Sequence, residues 1–449
     1  MGCLCWKNEQ FGGLLHDPID KVISIIEKVD HASRAADIAK RLVDNLPQTI
    51  VNEIENHHQK QVKITWADHN ASAANRGLIP YQSAVDKITF QNPFSAYLIE
   101  LKRLQRTIAS TGQFKCIGNY PKDFKDIFWN LISEYYRVYS GINQALAQSL
   151  FILPEDTRIP SSPILSHLTM TSALAKCKEN FYLLYIDIGG VQEFISGARK
   201  IRDFWAGSYI CSLLSVSVIK YLVNKFGPDS VIIPWILDIP LVDAFIFEKA
   251  KPSRELLLPL VPNTITALIP PISDDKFIKE EIYNELRGIW EKILNEYISK
   301  LKTLGITSIK EEQIKSQFAF EKIFPKIRIV IIDGNKTSKS NLINILDNLG
   351  HYQDIRRIPY YRDRKCSQQQ NCLAYKHQPL ENFENYIKIL QIGSEFVKNT
   401  IEFKSKPEID TTKNCQACGK HRQAILSDEE WRKLENEHII DYDERLCHL

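Results

Sequence analysis

The sequence predicts an α+β protein with three parts: a long helical N-terminal region, a mixed strand–helix unit, and a helical tail that carries cysteines. Three observations predict it. Over roughly the first 175 residues, apolar side chains recur at helical spacing between prolines. At Phe181 the texture changes to short apolar runs alternating with long amphipathic stretches. From about Ser338 the chain is again helical and more polar, and it ends in a cysteine-bearing segment. A chain of 449 residues is long for a single core, and the changes in texture divide it at 1–178, 179–335 and 336–449.

In the first part, helix-like spacing appears near 19–29, 31–46, 49–59, 66–76, 94–110, 122–149 and 165–177. The stretch Leu153–Pro163 has three prolines and paired serines, a loop composition. In the second part, Tyr182–Ile188 reads as a strand closed by Gly189 and Gly190, followed by a helix to about Lys225. Val231–Leu237, Leu241–Phe247 and Thr264–Ile269 read as further strands. An amphipathic helix from Asp275 to about Leu301 and a last strand at Ile327–Ile332 complete the unit. That order is the order of a ferredoxin-like α+β unit.

Composition narrows the function classes. The 44% hydrophobic and 25% charged fractions are those of an ordinary soluble globular protein. With 57 basic and 54 acidic residues the net charge is only +3, so nucleic acid would have to be met by local patches and not by a global basic field. No apolar run approaches the roughly 18 residues needed to cross a membrane. The N-terminus lacks the basic-then-apolar order of a secretory signal, since Cys3, Leu4, Cys5 and Trp6 run directly into Lys7, Asn8 and Glu9. The ten cysteines therefore read as reduced thiols or metal ligands in a cytoplasmic protein without a membrane partner.

The helical part supplies His16-Asp17 between a glycine pair and Pro18, His31 at the start of HASRAADIAKRL, Asp68 on the alanine-rich ADHNASAANR, and His167 in SPILSHLTM. An imidazole beside a carboxylate binds one divalent ion, and the aspartate can bridge two. Each residue alone also suits an ordinary role. Asp30 or Ser33 can start a helix beside a surface His31, Asp68 can pair with Arg76, and His167 can be a polar helix-face residue. Together they match an HD-type phosphohydrolase, in which histidines and aspartates from different helices hold metal ions that generate hydroxide and clamp phosphate oxygens.

In the second part, Asp187-Ile188-Gly189-Gly190 ends a strand and starts a helix. There the glycines let backbone N–H groups approach an anion and Asp187 can hold a metal or cap the helix. The following SGARKIRDFWAGSYICS brings Arg199, Lys200 and Arg202 within reach of phosphates, or forms a solvated basic face beside a packed Trp205.

DIGGVQEFISGARKIRDFWAGSY resembles the palm signature of the large subunit of type III-B (Cmr-type) CRISPR–Cas effector complexes, with Gly190 in place of the usual proline and Phe204 in place of leucine. LLHDPIDK, ADHNASAANR and LPEDTRIP resemble three further blocks of that family in the same order, and PLVD and PN match weaker ones. The resemblance implies a permuted HD domain that cuts single-stranded DNA with manganese, nickel or cobalt, carried over onto His16, Asp17 and Asp68 with His31 as a further ligand. It also implies a nucleotide-cyclase-like palm that contributes to an ATP and cyclic-oligoadenylate site, and partners that include other effector subunits, guide RNA and target RNA. The family's Pro-Asp-His-Ser block is Pro160-Ser161-Ser162-Pro163 here, which weakens the assignment of His167.

Cys415-Gln416-Ala417-Cys418-Gly419 has the form of a zinc knuckle, with Cys447 twenty-eight residues after Gly419. The expected fourth ligand would fall just past Leu449, so the sequence reads as the front portion of a large subunit ending inside a zinc site. The Gly-Gly-Asp-Asp turn that would hold cyclisation metals does not occur in the chain, so cyclase chemistry is not expected from it alone. The competing expectation is a catalytically weak assembly module that binds other subunits and guide RNA.

Overall fold

The computed structural model describes residues 7–59, 63–76, 87–91, 98–102, 108–156, 159–177, 180–196, 198, 200–272, 275–306, 311–324, 327–334 and 428–436. The N-terminal part consists of α1 (Lys7–Leu15), α2 (Lys21–Ile26), α3 (His31–Leu42), α4 (Gln48–Glu55), α5 (Lys63–Arg76), α6 (Phe124–Ser140), α7 (Gln144–Gln148) and α8 (Ile164–Ala175). Short strands decorate it: β1 (Val43–Asp44), β2 (Lys87–Gln91), β3 (Leu98–Lys102), β4 (Gly118–Asn119), β5 (Pro154–Asp156) and β6 (Ile159–Pro163).

The helices pack as they do because small residues sit where they cross. A Cβ on Gly13 of α1 would lie 2.7 Å from the Ser172 Cα and 2.8 Å from the Thr171 carbonyl oxygen of α8. Only glycine permits that approach, because real Cβ contacts do not come so close. Helix α5 uses Ala67 and Ala71, both fully buried, for its own close packing beside Ala173 and Leu174 of α8. Helix α8 is buried along nearly its whole length and forms the axis of this part of the molecule.

The second part holds β7 (Tyr182–Ile188), α9 (Val191–Ile195), α10 (Ile201–Phe226), β8 (Val231–Ile233), α11 (Pro240–Phe245), α12 (Ser253–Leu256), β9 (Thr264–Ile269), α13 (Asp275–Thr303), α14 (Glu311–Gln317), α15 (Phe320–Ile323) and β10 (Ile327–Asp333). The strands form one antiparallel sheet in the order β10-β7-β9-β8. Numbered within the unit that order is 4-1-3-2, with α10 and α13 as the two long crossovers, which is the βαββαβ order the sequence predicts. Tyr182 lies opposite Asp333 on one side and Ile269 on the other, so the register places Asp187 opposite Arg328 and Thr264. A separate helix, Asp428–Asn436, packs Trp431 and Leu434 against Ile298 and Leu301 of α13.

Several elements differ from the sequence expectation. Part of the helix expected near 94–110 is β3, paired with β2 so that Thr89 faces Glu100. The run Ile99-Glu100-Leu101-Lys102 alternates as well as it fits a helical period, and pairing decides. The loop expected at Leu153–Pro163 contains the β5–β6 hairpin, a two-stranded ribbon in which prolines occupy edge positions. The strand expected at Leu241–Phe247 is helix α11, begun by Pro240 at its first position. Helix α10 is long and apolar enough to cross a membrane by length and composition. Its most apolar window is 56% buried inside the protein, however, where Leu214, Val218 and Leu222 join the core.

That core is continuous across the sequence boundary at 178. Phe11, Ile19 and Leu42 of the helical part belong to the same apolar cluster as Leu184, Ile186 and Ile282. A buried polar knot fastens the two parts. Lys176 Nζ lies 3.0 Å from Asp229 Oδ1 and donates to the Phe226 carbonyl at 2.8 Å, and Ser172 Oγ donates to Asp229 Oδ2 at 2.9 Å. Gln10 Nε2 donates to Asp229 Oδ1 at 3.0 Å and to the Phe226 carbonyl at 3.1 Å. The turn beneath the knot needs Gly227, whose φ is +95° and whose absent Cβ leaves room for Gln10 Nε2 and Asp229 Oδ1.

Two stability outcomes follow. Lys176→Met leaves the Asp229 carboxylate buried without its cation, and should lower the urea-unfolding free energy by about 3–5 kcal/mol. The double change Lys176→Met, Asp229→Leu should recover a large part of that loss. Gly13→Ala should cost about 1–3 kcal/mol by overpacking the α1–α8 crossing, read as a lower thermal midpoint.

Candidate metal centre

His16 and Asp17 follow α1 directly, at the helix boundary where the sequence places them. The loop that carries them is pinned by the next acid. Arg34 Nη2 of α3 donates to Asp20 Oδ2 at 2.5 Å, and the Tyr139 hydroxyl of α6 donates to the same oxygen, all buried.

Four side chains converge in this loop's lee. The Nε2 atoms of His16 and His167 are 3.1 Å apart. His167 Nε2 lies 3.1 Å from Asp68 Oδ1 and 3.6 Å from Asp17 Oδ2. His16 Nε2 lies 3.3 Å from Asp17 Oδ2 and 3.6 Å from Asp68 Oδ1. His16, Asp17, Asp68 and His167 are buried, and their donor atoms all lie within 4.8 Å of one another. The structure thus brings together three residues that the motif blocks single out, and also His167, whose block is altered.

A second group adjoins the first. His31, His57 and His58 also offer donor atoms within 4.8 Å of one another. His57 Nε2 and His31 Nε2 lie 3.8 Å and 3.7 Å from Asp17 Oδ1, the carboxylate oxygen turned away from the first group. Asp17 therefore joins the two groups, one oxygen to each. The sequence reading missed His57 and His58, although a His-His pair at the end of a helical stretch was a visible signal. It also missed Glu155, whose Oε2 lies 3.7 Å from His167 Nδ1 on the strand β5 read as loop.

The donor set fits divalent ions. Two ligand atoms each about 2.1 Å from one ion, at tetrahedral or octahedral angles, lie about 3.0–3.4 Å apart; in the first group three separations are 3.1–3.3 Å and two are 3.6 Å. Tautomers are set correctly as well. His16 Nδ1 donates to the Gly13 carbonyl at 2.8 Å and His57 Nδ1 to the Ile54 carbonyl at 2.7 Å, so each turns Nε2 inward; His57 offers a lone pair there, and His16 does so once it gives up its second proton. Asp17 Oδ1 and His57 Nε2 are buried and hydrogen-bond to nothing in the protein, a costly arrangement that a cation between them would relieve.

Electrostatics point the same way. Burial opposes charge on His16, yet Asp17 and Asp68 outweigh it and hold its pKa up at about 9. Burial likewise opposes protonation of His167, and Glu155, Asp17 and Asp68 raise it. Burial alone would raise Asp17 and Asp68; Lys21 with His16, and the two histidines, hold these carboxyls well below the usual range. Lys21 Nζ sits 2.5 Å from Asp17 Oδ2. His57 goes the other way: burial pushes it down to about 4, so it stays neutral.

The sheet unit is different. The Asp187 carboxylate, expected as an open ligand, is engaged by the Arg328 guanidinium and accepts from Asn263 Nδ2 at 3.2 Å. Gly189 and Gly190 form the turn into α9, with Gly190 at φ +89°, and Lys200 precedes α10. Trp205 stacks on Tyr209 at 5.2 Å and donates to the Leu257 carbonyl at 3.0 Å, while Arg202 is about half exposed. Arg199, Cys415, Cys418 and Cys447 lie outside the described residues.

Equilibrium dialysis against manganese, followed by metal analysis, should find two ions per chain, one after His57→Ala and fewer than one after Asp17→Asn. Because His16 keeps its proton below about pH 9 in the metal-free protein, metal and proton compete there. Affinity at that group should therefore fall as the pH drops below 9, by up to about tenfold per pH unit.

Residues 183–295 match the family model described as CRISPR-associated protein Cmr2, N-terminal. The chain is 28% identical over 250 residues to the CRISPR system Cmr subunit Cmr2 of Pyrococcus furiosus, and 28% identical over 307 residues to that of Saccharolobus solfataricus. These alignments cover 55% and 61% of this chain but only 28% of each relative. Among solved structures, a chain of the type III-B Cmr-beta complex in its apo state superposes with a TM-score of 0.51 at 19% identity, over 98% of this chain and 48% of that one. The sequence matches and the motif blocks agree in direction, and the chain is similar to the Cmr2 large subunits of type III-B CRISPR systems.

Proposed function

We propose that the helical part is an HD-type metal-dependent phosphodiesterase that cleaves single-stranded DNA within a type III-B effector complex. The observation that carries this reading is the pair of donor groups joined through Asp17: His16, Asp68 and His167 on one oxygen, His31 and His57 on the other. In this reading manganese, nickel or cobalt ions supply a hydroxide nucleophile and neutralise phosphate oxygens. The chain's own residues do the rest. Asp17 and Asp68 stay ionised and hold the site's negative charge, and the Glu155 carboxylate, 3.7 Å behind the His167 ring, favours positive charge on it. His58, exposed and 2.9 Å from His31 through their Nε2 atoms, stands at the open side, where it can pass a proton to the departing sugar oxygen.

The partners in this reading are other effector subunits, guide RNA and target RNA. The sheet unit would act as a palm, with Gly189, Gly190 and Lys200 contributing one wall of an ATP or cyclic-oligoadenylate site shared with a second palm. Zinc bound by Cys415, Cys418 and Cys447 belongs to the same reading, on their spacing. One observation favours the alternative of an assembly module with a weak nuclease: Lys21 Nζ already contacts Asp17 Oδ2, where it competes with a metal.

Labelled single-stranded DNA incubated with the full chain and manganese, nickel or cobalt decides between them. Cleavage should fall by about 100-fold or more in Asp17→Ala and Asp68→Ala, beyond the ~10–100-fold typical of outer-shell partners. Equal cleavage by wild type and both variants would sink the nuclease reading, and no cleavage by any of them would favour the assembly module.

A further inference from the structure

A cavity of about 180 Å³, lined by none of the candidate metal ligands, opens between α6, the segment after α7, and the loop before α11. Helix α6 contributes Trp129, Ile132 and Tyr136, which share one helical face by their spacing of three, four and seven. Leu150 and Phe151 close the second wall, and Asp238 from the sheet unit stands at the rim. The rings are not sealed in: Tyr136 is 41% and Phe151 37% exposed.

Asp238 is the acid in this lining. Its backbone has φ +60°, a conformation aspartate adopts more readily than most residues but which still stores strain. Two lysines of this region pair with other acids. Lys251 Nζ lies 2.8 Å from Asp243 Oδ2, and Lys249 Nζ lies 3.1 Å from Asp126 Oδ1. Partial burial and the Asp243 carboxylate raise the Asp238 pKa, against the pull of Lys251, so a further cation at the rim would be welcome. Lys249, outside the lining, already places its ammonium 4.8 Å from the centre of the Trp129 ring.

We propose that this cavity receives one arginine side chain presented by a partner polypeptide. The volume sets the size of the guest. A cavity of about 150 Å³ holds a benzene ring, and small-molecule pockets begin near 300 Å³, so this one takes a single side chain. Its chemistry sets the identity. Aromatic walls with a carboxylate at the mouth suit a planar cation that stacks and forks at once, which a lysine ammonium or an aliphatic chain cannot do. Arginine anchors seated in preformed pockets are a recurring source of interface energy. The inference stands apart from the nuclease reading, since none of its residues belongs to the metal centre.

The test follows the Trp129 indole N–H signal of the full chain by NMR, assigned through Trp129→Phe, during titration with N-acetyl-arginine amide or N-acetyl-leucine amide. A saturable shift with the arginine probe is expected, with the leucine probe at least about fivefold weaker. Asp238→Asn keeps a residue tolerant of positive φ and should weaken the arginine probe by about tenfold. If that variant lowers the thermal midpoint, Tyr136→Leu makes the same test on the aromatic wall. Equal binding of the two probes, no effect of either variant, or no saturable shift at all would each overturn the proposal.

Discussion

The close crossing of α1 on α8 is the constraint on which the site depends. Because Gly13 has no side chain, the α1 backbone rests directly on Thr171 and Ser172, and the loop that follows delivers His16 to within 3.1 Å of His167. The same axis helix packs against the alanine face of α5 and so brings in Asp68. Four donors from three distant stretches of sequence are placed by two contacts between small residues. The charge that results is not self-neutralising. Two buried carboxylates face Lys21 and a His16 that they hold protonated, and they raise the pKa of His167 as well, a balance that a divalent ion can replace more compactly.

The two halves of the molecule treat their acids in opposite ways. In the sheet unit, the acid that ends the first strand is matched by the arginine directly across the register, so Asp187 and Arg328 form an ion pair fixed by strand pairing. In the helical part, Asp17 keeps one oxygen without any hydrogen bond. Chemistry that needs an under-compensated carboxylate is therefore concentrated on the helical side, and the sheet side offers backbone and glycines instead.

Much of this was legible in the sequence, and the gaps have physical reasons. The βαββαβ order was readable because each strand is a short apolar run and the two stretches between them that became α10 and α13 are too long for strands. His16, Asp17 and Asp68 were readable as a motif. His57 was passed over although the His-His pair stood in view, because an imidazole at a helix end names no partner until the fold turns its Nε2 toward Asp17. The altered Pro160–Pro163 block argued against His167, yet that residue's place is set by α8 packing and not by the block before it. Asp187 misled for the converse reason: its partner lies 141 residues away, and only the register reveals it. Leu241–Phe247 misled because an apolar run of seven residues has no preference of its own, and Pro240 decided it.

Helix α8 has a mechanical consequence. It carries His167 near its start and Ser172 five residues later, and Lys176 caps its end. At about 1.5 Å per residue, the metal ligand and the polar knot on Asp229 are separated by roughly 7–14 Å of a single stiff rod. The sheet unit grips one end of that rod through Ser172 and Lys176, while the other end holds a ligand whose position matters to a few tenths of an ångström. His167 of the candidate metal centre and the knot that fastens the sheet unit thus sit on one continuous helix, so the two are spaced by its rise and by nothing softer.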